Sequence, residues 1–140
     1  MILIPSKSHR AYFKAAKAMS KLSDYKQKIG CVVVYKHRII SSGFNHHKTN
    51  PLQKKYNKYR FDEDTGFHSV HAETDALLPL IGKKDIDFSH VSIYLYRQYK
   101  NGELAPSRCC ESCMALVRSL GIRHLYYTNY NSYVGEELIY

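Results

Sequence analysis

The sequence predicts an α/β domain of three layers, α/β/α, with a central sheet between helices. Three observations support this reading. Helix and strand patterns alternate along the chain in the order helix, strand, strand, helix, strand, helix, strand. The 140 residues, 16.3 kDa, suffice for one core and leave no room for a second. Hydrophobic residues at 44% and charged residues at 24% match an ordinary globular chain and exclude a disordered or collagen-like one.

The first helix is expected from residue 8 to about residue 22. Tyr12, Ala15, Ala16, Met19 and Leu22 recur at helical spacing, and Lys14, Lys17 and Lys21 share another face. Gly30 opens the β-branched run Cys31-Val-Val-Val-Tyr35, and Arg38-Ile-Ile-Ser-Ser42 is the next strand. Lys36-His37 between them reads as a tight turn, which makes the pair an antiparallel hairpin. From residue 46 to 68 the periodicity dissolves into a long basic and aromatic loop, a kind of segment that usually serves function in a compact domain. A helix is expected over residues 71–81, with Ala72, Ala76, Leu77 and Leu80 on one side and Pro79 disturbing its last turn. Val91-Ser-Ile-Tyr-Leu-Tyr96 is a strand and Asn101-Gly102 a turn. Residues 110–120 form a helix closed by Gly121, where a left-handed cap is favoured. A final strand covers residues 122–127. The domain core thus spans about residues 8–128, followed by a tail at 129–140.

Charge and cysteine content narrow the chemistry. Twenty-one basic and 12 acidic residues give a net charge of +9, which suits polyanionic or phosphorylated partners, or else a solvated lysine-rich surface. No apolar run is long enough to span a membrane, and Met1-Ile-Leu-Ile-Pro5 is too short for a secretory signal. An intracellular, cytoplasmic setting is therefore expected, in which thiols stay reduced. Cys31, Cys109, Cys110 and Cys113 then point to metal or catalytic chemistry rather than to disulfides.

Two motifs carry that chemistry, each at a predicted loop-to-helix junction: His71-Ala72-Glu73 and Cys110-Glu111-Ser112-Cys113. One imidazole and two thiolates are an open donor set for zinc, three protein ligands with a fourth place left for water. The unpaired N–H groups and dipole of a helix start stabilise negative charge there. Glu73, two residues past the histidine, can face a water at that place without being a ligand, and so can carry its proton. Either motif alone is weak; their conjunction, in this order, is much stronger.

With these motifs the sequence resembles the zinc-dependent cytidine and deoxycytidylate deaminase superfamily, whose signature is His-x-Glu followed by Pro-Cys-x-x-Cys. The resemblance covers about residues 8–128. It implies a cytidine deaminase-like fold with a mixed central sheet, Zn2+ as cofactor, His71, Cys110 and Cys113 as its ligands, and Glu73 as the catalytic proton shuttle. Cys109 stands where the family has proline. That leaves the backbone before the helix less constrained and lets Cys109 compete with Cys110 as a ligand; the spacing to Cys113 favours Cys110, with Cys109 a small buried hydrophobe.

The resemblance also implies substrate contacts at Asn45 and Ala72. For Asn45 the plainer alternative is a turn residue. His46 and His47 read as solvated loop residues. The implied reaction is hydrolytic deamination, usually of cytosine at C4 and less often of adenine at C6. The preferred substrate is a small-molecule nucleoside or nucleotide such as deoxycytidylate, with no membrane involved and a homo-oligomer allowed. A single-stranded nucleic acid is the main alternative, because Lys48, Lys54, Lys55, Lys58 and Arg60 alternate with Tyr56, Tyr59 and Phe61, as in single-strand channels. The tyrosines from Tyr126 to Tyr133 suit packing better than base reading. Two further alternatives are a non-catalytic zinc module of the same fold and a basic nucleic-acid-binding protein with a redox Cys-x-x-Cys.

Overall fold

The computed structural model describes residues 2–46 and 71–139. Along the chain these form β1 (Ile2–Leu3), α1 (Lys7–Ser20), β2 (Ile29–Tyr35), β3 (Arg38–Phe44), α2 (Ala72–Leu77), β4 (Val91–Arg97), α3 (Glu111–Leu120), β5 (His124–Asn129) and β6 (Ser132–Glu137). One six-stranded sheet runs in the order β1-β6-β5-β4-β2-β3. Its β4–β5 pair is parallel and the other pairs are antiparallel, so the sheet is mixed.

The alternation of side chains along the strands divides the core in two. Cys31 and Val33 of β2, Ile93 and Leu95 of β4, and Leu125 of β5 pack on one face with Ala72, Ala76 and Leu77 of α2 and Met114, Leu116 and Val117 of α3. Val32, Val34, Tyr94 and Tyr96 face the other way, against Phe13 and Ala16 of α1. The three layers are therefore α1, the sheet, and α2 with α3. Burying each of the larger apolar side chains contributes about 1.5–3 kcal/mol.

The β2–β3 hairpin turns at Lys36 and His37, both in the left-handed region (φ 51° and 65°), and pairs Tyr35 with Arg38. Two left-handed residues in a two-residue turn match the natural strand twist. α1 starts at Ser6, whose side chain accepts from the His9 N–H while the His9 ring accepts from the Ser6 N–H. α2 stops at Leu77 and gives way to a 3-10 turn over Leu78–Leu80, since Pro79 has no N–H for an α-helical bond. α3 ends on Gly121 at φ 87°.

Three differences from the sequence reading concern this side of the sheet. The last predicted strand lies two residues later, at His124–Asn129, and the predicted tail is not a tail: Ser132–Glu137 turns back at Asn131 and pairs along β5. β1, which sequence reading did not assign, pairs Ile2 with Val134 and extends the sheet by one strand. Of the long loop, His46 is described, while His47 and the alternating basic and aromatic residues 48–61 lie outside the described residues.

Candidate metal centre

Parallel strands need a crossover, and between β4 and β5 the crossover is the segment leading into α3. That segment is anchored at the end of β4. The Ser107 hydroxyl donates to the Leu95 carbonyl, the Ala105 N–H donates to the Arg97 carbonyl, and the Arg97 guanidinium donates to the Pro106 carbonyl at 3.1 Å. Thr128 of β5 completes the anchorage, its hydroxyl donating to the Ala105 carbonyl at 2.7 Å. Three residues after Ser107, Cys110 stands at the N-cap of α3 with Cys113 in its first turn. Residues three apart lie on one helix face, so both sulfurs point the same way.

α2 is set against the end of β3. Asp75 accepts from the Phe44 N–H at 3.1 Å and pairs with the His46 ring at 3.1 Å, and the Ser41 hydroxyl donates to the Ala76 carbonyl. This fixes the start of α2, where His71 is the N-cap. The two helix starts bring the His71 Nδ1 to 3.2 Å from the Cys113 Sγ and 3.3 Å from the Cys110 Sγ. All three donor atoms lie within 4.8 Å of one another, and they are the group among the described residues that could hold a metal ion. Tetrahedral zinc with bonds of about 2.3 Å to sulfur and about 2.0–2.1 Å to nitrogen separates N and S ligands by roughly 3.5 Å. The trio fits that ion with small adjustments, and its soft sulfur and imidazole donors suit zinc.

Electrostatics favour a cation at this point. The Cys110 thiol is pulled down to about 3, chiefly by a hydrogen bond from Cys113 and also by His71 and by Ser112, whose hydroxyl lies 3.1 Å away. Burial pushes Cys113 up. Glu73 is 5% exposed, and burial first, then the Cys110 charge, raise its pKa above the ordinary carboxylate value. It sits beside the trio without belonging to it. Cys109 is turned into the core, 5% exposed, beside Glu73. The structure thus groups Cys110, not Cys109, with His71 and Cys113.

Asn45 is buried, and its amide is committed on two sides. It accepts from the Ile29 N–H at 2.9 Å and donates to the Gln27 carbonyl at 2.6 Å. Ala72 is buried as the first residue of α2. His46 is half-buried against Asp75 rather than solvated. Sequence reasoning missed Asp75, Ser112 and Thr74, whose hydroxyl lies 3.9 Å from the Cys113 Sγ. Asp75 and Ser112 were nonetheless visible as polar residues in the first turns of two short helices that carry the motifs.

The sequence matches the family model for the cytidine and deoxycytidylate deaminase zinc-binding region over residues 6–129. No curated protein sequence matches it. Among solved structures, the apo dCMP deaminase of cyanophage S-TIM5 shares the fold with a TM-score of 0.62 and 23% identity, covering 91% of this chain and 86% of that one. The same phage enzyme in complex with dCMP and dUMP gives 0.60 and 20%, covering 89% and 83%. Cytidine deaminase from Burkholderia pseudomallei gives 0.64 and 18%, covering 92% and 91%. At these identities the likeness is one of fold.

Proposed function

The chain belongs to the cytidine and deoxycytidylate deaminase family, and from that premise we propose that it is a zinc-dependent hydrolase converting a cytosine base to uracil, on a free nucleoside or nucleotide such as deoxycytidylate. The observation that carries this reading is Glu73, a buried carboxylate beside the donor trio but not part of it. A purely structural zinc site has no use for such a group. A fold relative solved with dCMP and dUMP supports the substrate class, since those two nucleotides differ by the exchange of an amine for a carbonyl.

In this reading His71, Cys110 and Cys113 hold the zinc, which when bound supplies Lewis acidity and makes water a nucleophile near neutral pH. Glu73 takes one proton from the attacking water and gives it to the ring nitrogen N3, then takes the second from the hydroxyl formed on C4 and gives it to the departing amine. Water oxygen bonds to C4, the C4–N4 bond breaks, and ammonia leaves, which balances cytosine plus water against uracil plus ammonia. A raised carboxylate pKa suits a group that must both accept and return a proton. Ala72, at the opening of α2, lines the base, and Asn45 uses its remaining amide hydrogen and lone pair toward the sugar.

The test is ammonia release from a panel of cytosine and adenine nucleosides, nucleotides and oligonucleotides. The parent protein should act on a small cytosine substrate. Glu73→Gln should lose at least about 10²–10⁴-fold in rate while keeping one zinc per chain. A variant within a few-fold of the parent overturns the role of Glu73.

A further inference from the structure

A groove of about 500 Å³ lies at the end of the sheet from which the metal centre is built, on the side of α1. It is lined by Lys21 at the end of α1, Lys26 and Lys28 in the segment before β2, and Arg97, Tyr99 and Lys100 where β4 ends. Five cations line it and no carboxylate does. Acidic groups nearby are Asp24, in the same segment as Lys26, and Glu103, whose charge reaches Tyr99. Neither offsets five positive charges.

Both banks of the groove are bonded to segments that adjoin the helices carrying the centre. Gln27, between the two lysines, receives the Asn45 amide, and Arg97 holds the Pro106 carbonyl four residues before Cys110. The floor carries aromatic surface as well. The Arg97 guanidinium lies 5.6 Å over the Tyr99 ring, and Tyr130 stands beside Tyr99. Tyr99 is 39% and Tyr130 67% exposed, so both present rings to solvent.

We propose that this groove binds single-stranded nucleic acid and leads one of its bases toward the centre formed by His71, Cys110 and Cys113. The proposal deepens the deaminase reading and rests on it for where the strand leads, extending the substrate from a free nucleotide to a cytosine within a strand. Clustered like charges repel one another, and a polyanion that bridges them relieves that repulsion. A nucleoside monophosphate brings one phosphate, which one or two cations satisfy. Five cations along one groove suit successive phosphates, and neighbouring exposed tyrosines suit stacked bases.

The experiment uses the full chain and a fluorescein-labelled single strand of thymidines, which contains no exocyclic amine and so reports binding apart from turnover. Its affinity is read by anisotropy between roughly 50 and 200 mM salt, the range over which phosphate contacts are lost. We expect the logarithm of the affinity to fall with the logarithm of salt at about 0.7 per phosphate, hence a slope of about 2 or more. The double variant Lys26→Ser, Lys28→Ser should weaken binding and lower that slope by about 1.4. The variant Lys36→Ser, Lys84→Ser, which removes the same charge outside this groove, should leave the slope unchanged. Absence of binding, a slope near that of a single phosphate, or equal losses in the two double variants would overturn the proposal. Failure of the deaminase reading shows separately, as an absence of ammonia from every cytosine substrate while the thymidine strand still binds.

Discussion

Cys109 and Cys110 are chemically identical neighbours, and only the phase of α3 separates them. Cys110 is the N-cap and shares a face with Cys113, whereas Cys109 lies one residue back, buried against Glu73. Sequence spacing could favour one over the other but could not fix which side chain turns outward, because that depends on the backbone before the helix, where the family proline is absent. The expected consequence is asymmetric. Cys110→Ala should drop zinc well below one per chain, while Cys109→Ala should keep one zinc and lose only packing, about 1–3 kcal/mol of stability. Elemental analysis of the purified variants decides it, and full zinc in Cys110→Ala sinks the assignment. That His71, Glu73 and Cys113 stand at helix starts was legible from the local pattern, whereas the roles proposed for them came from the resemblance. Asn45 was legible as a position, yet its bonds to Gln27 and Ile29 show a bracing role that no local pattern announces.

At the scale of elements, the centre depends on how closely α2 approaches β3. A Cβ on Gly43 would come within 2.5 Å of the Ala76 nitrogen and 2.8 Å of the Ala72 carbonyl oxygen, both backbone atoms that cannot rotate aside. Gly30 makes the matching approach on the other face, where a Cβ would lie 1.9 Å from the Ala16 carbonyl of α1. Overpacking of this kind costs about 1–3 kcal/mol or more. The two sites should nevertheless differ in function. Gly43→Ala displaces the helix that carries His71 and Glu73, so zinc affinity and deaminase rate should both fall. Gly30→Ala displaces α1 and should lower thermal stability with zinc binding largely kept. Equal zinc affinity in Gly43→Ala and the parent would show that α2 is not held in place by this contact. The strands and helices of the interior were readable because their periodicity is local. β1 and β6 were not: a two-residue strand has no period, and Ser132-Tyr-Val-Gly-Glu-Glu137 looks polar until β5 supplies a partner.

Across the whole molecule, the strand missed at the sequence level reaches back to the segment that positions the centre. Glu136 of β6 accepts two hydrogen bonds from the Arg108 guanidinium, each 3.0 Å, and one from the Tyr127 hydroxyl at 2.8 Å. Arg108 immediately precedes Cys109, so this fork clamps the approach to α3 onto the sheet. Hydrogen bonding from Arg108 holds the Glu136 carboxyl below its ordinary value, with Tyr127 adding to the effect. A carboxylate depressed in the folded state stabilises the fold above the unfolded value of about 4.3, and that stabilisation disappears as pH falls through the lower, folded value. The pair is partly exposed, 46% for the arginine and 27% for the glutamate, so solvent screening limits its worth to about 0.5–1 kcal/mol. Glu136→Gln should therefore unfold at lower urea than the parent at pH 7, with the gap closing below about pH 4 as the parent's carboxyl takes up its proton. Urea midpoints of both proteins across that range measure it directly, and taking the difference between them cancels the acid sensitivity of the thiol and imidazole donors common to both. A gap that persists unchanged into acid would mean that shape, rather than charge, is what Glu136 contributes to the clamp.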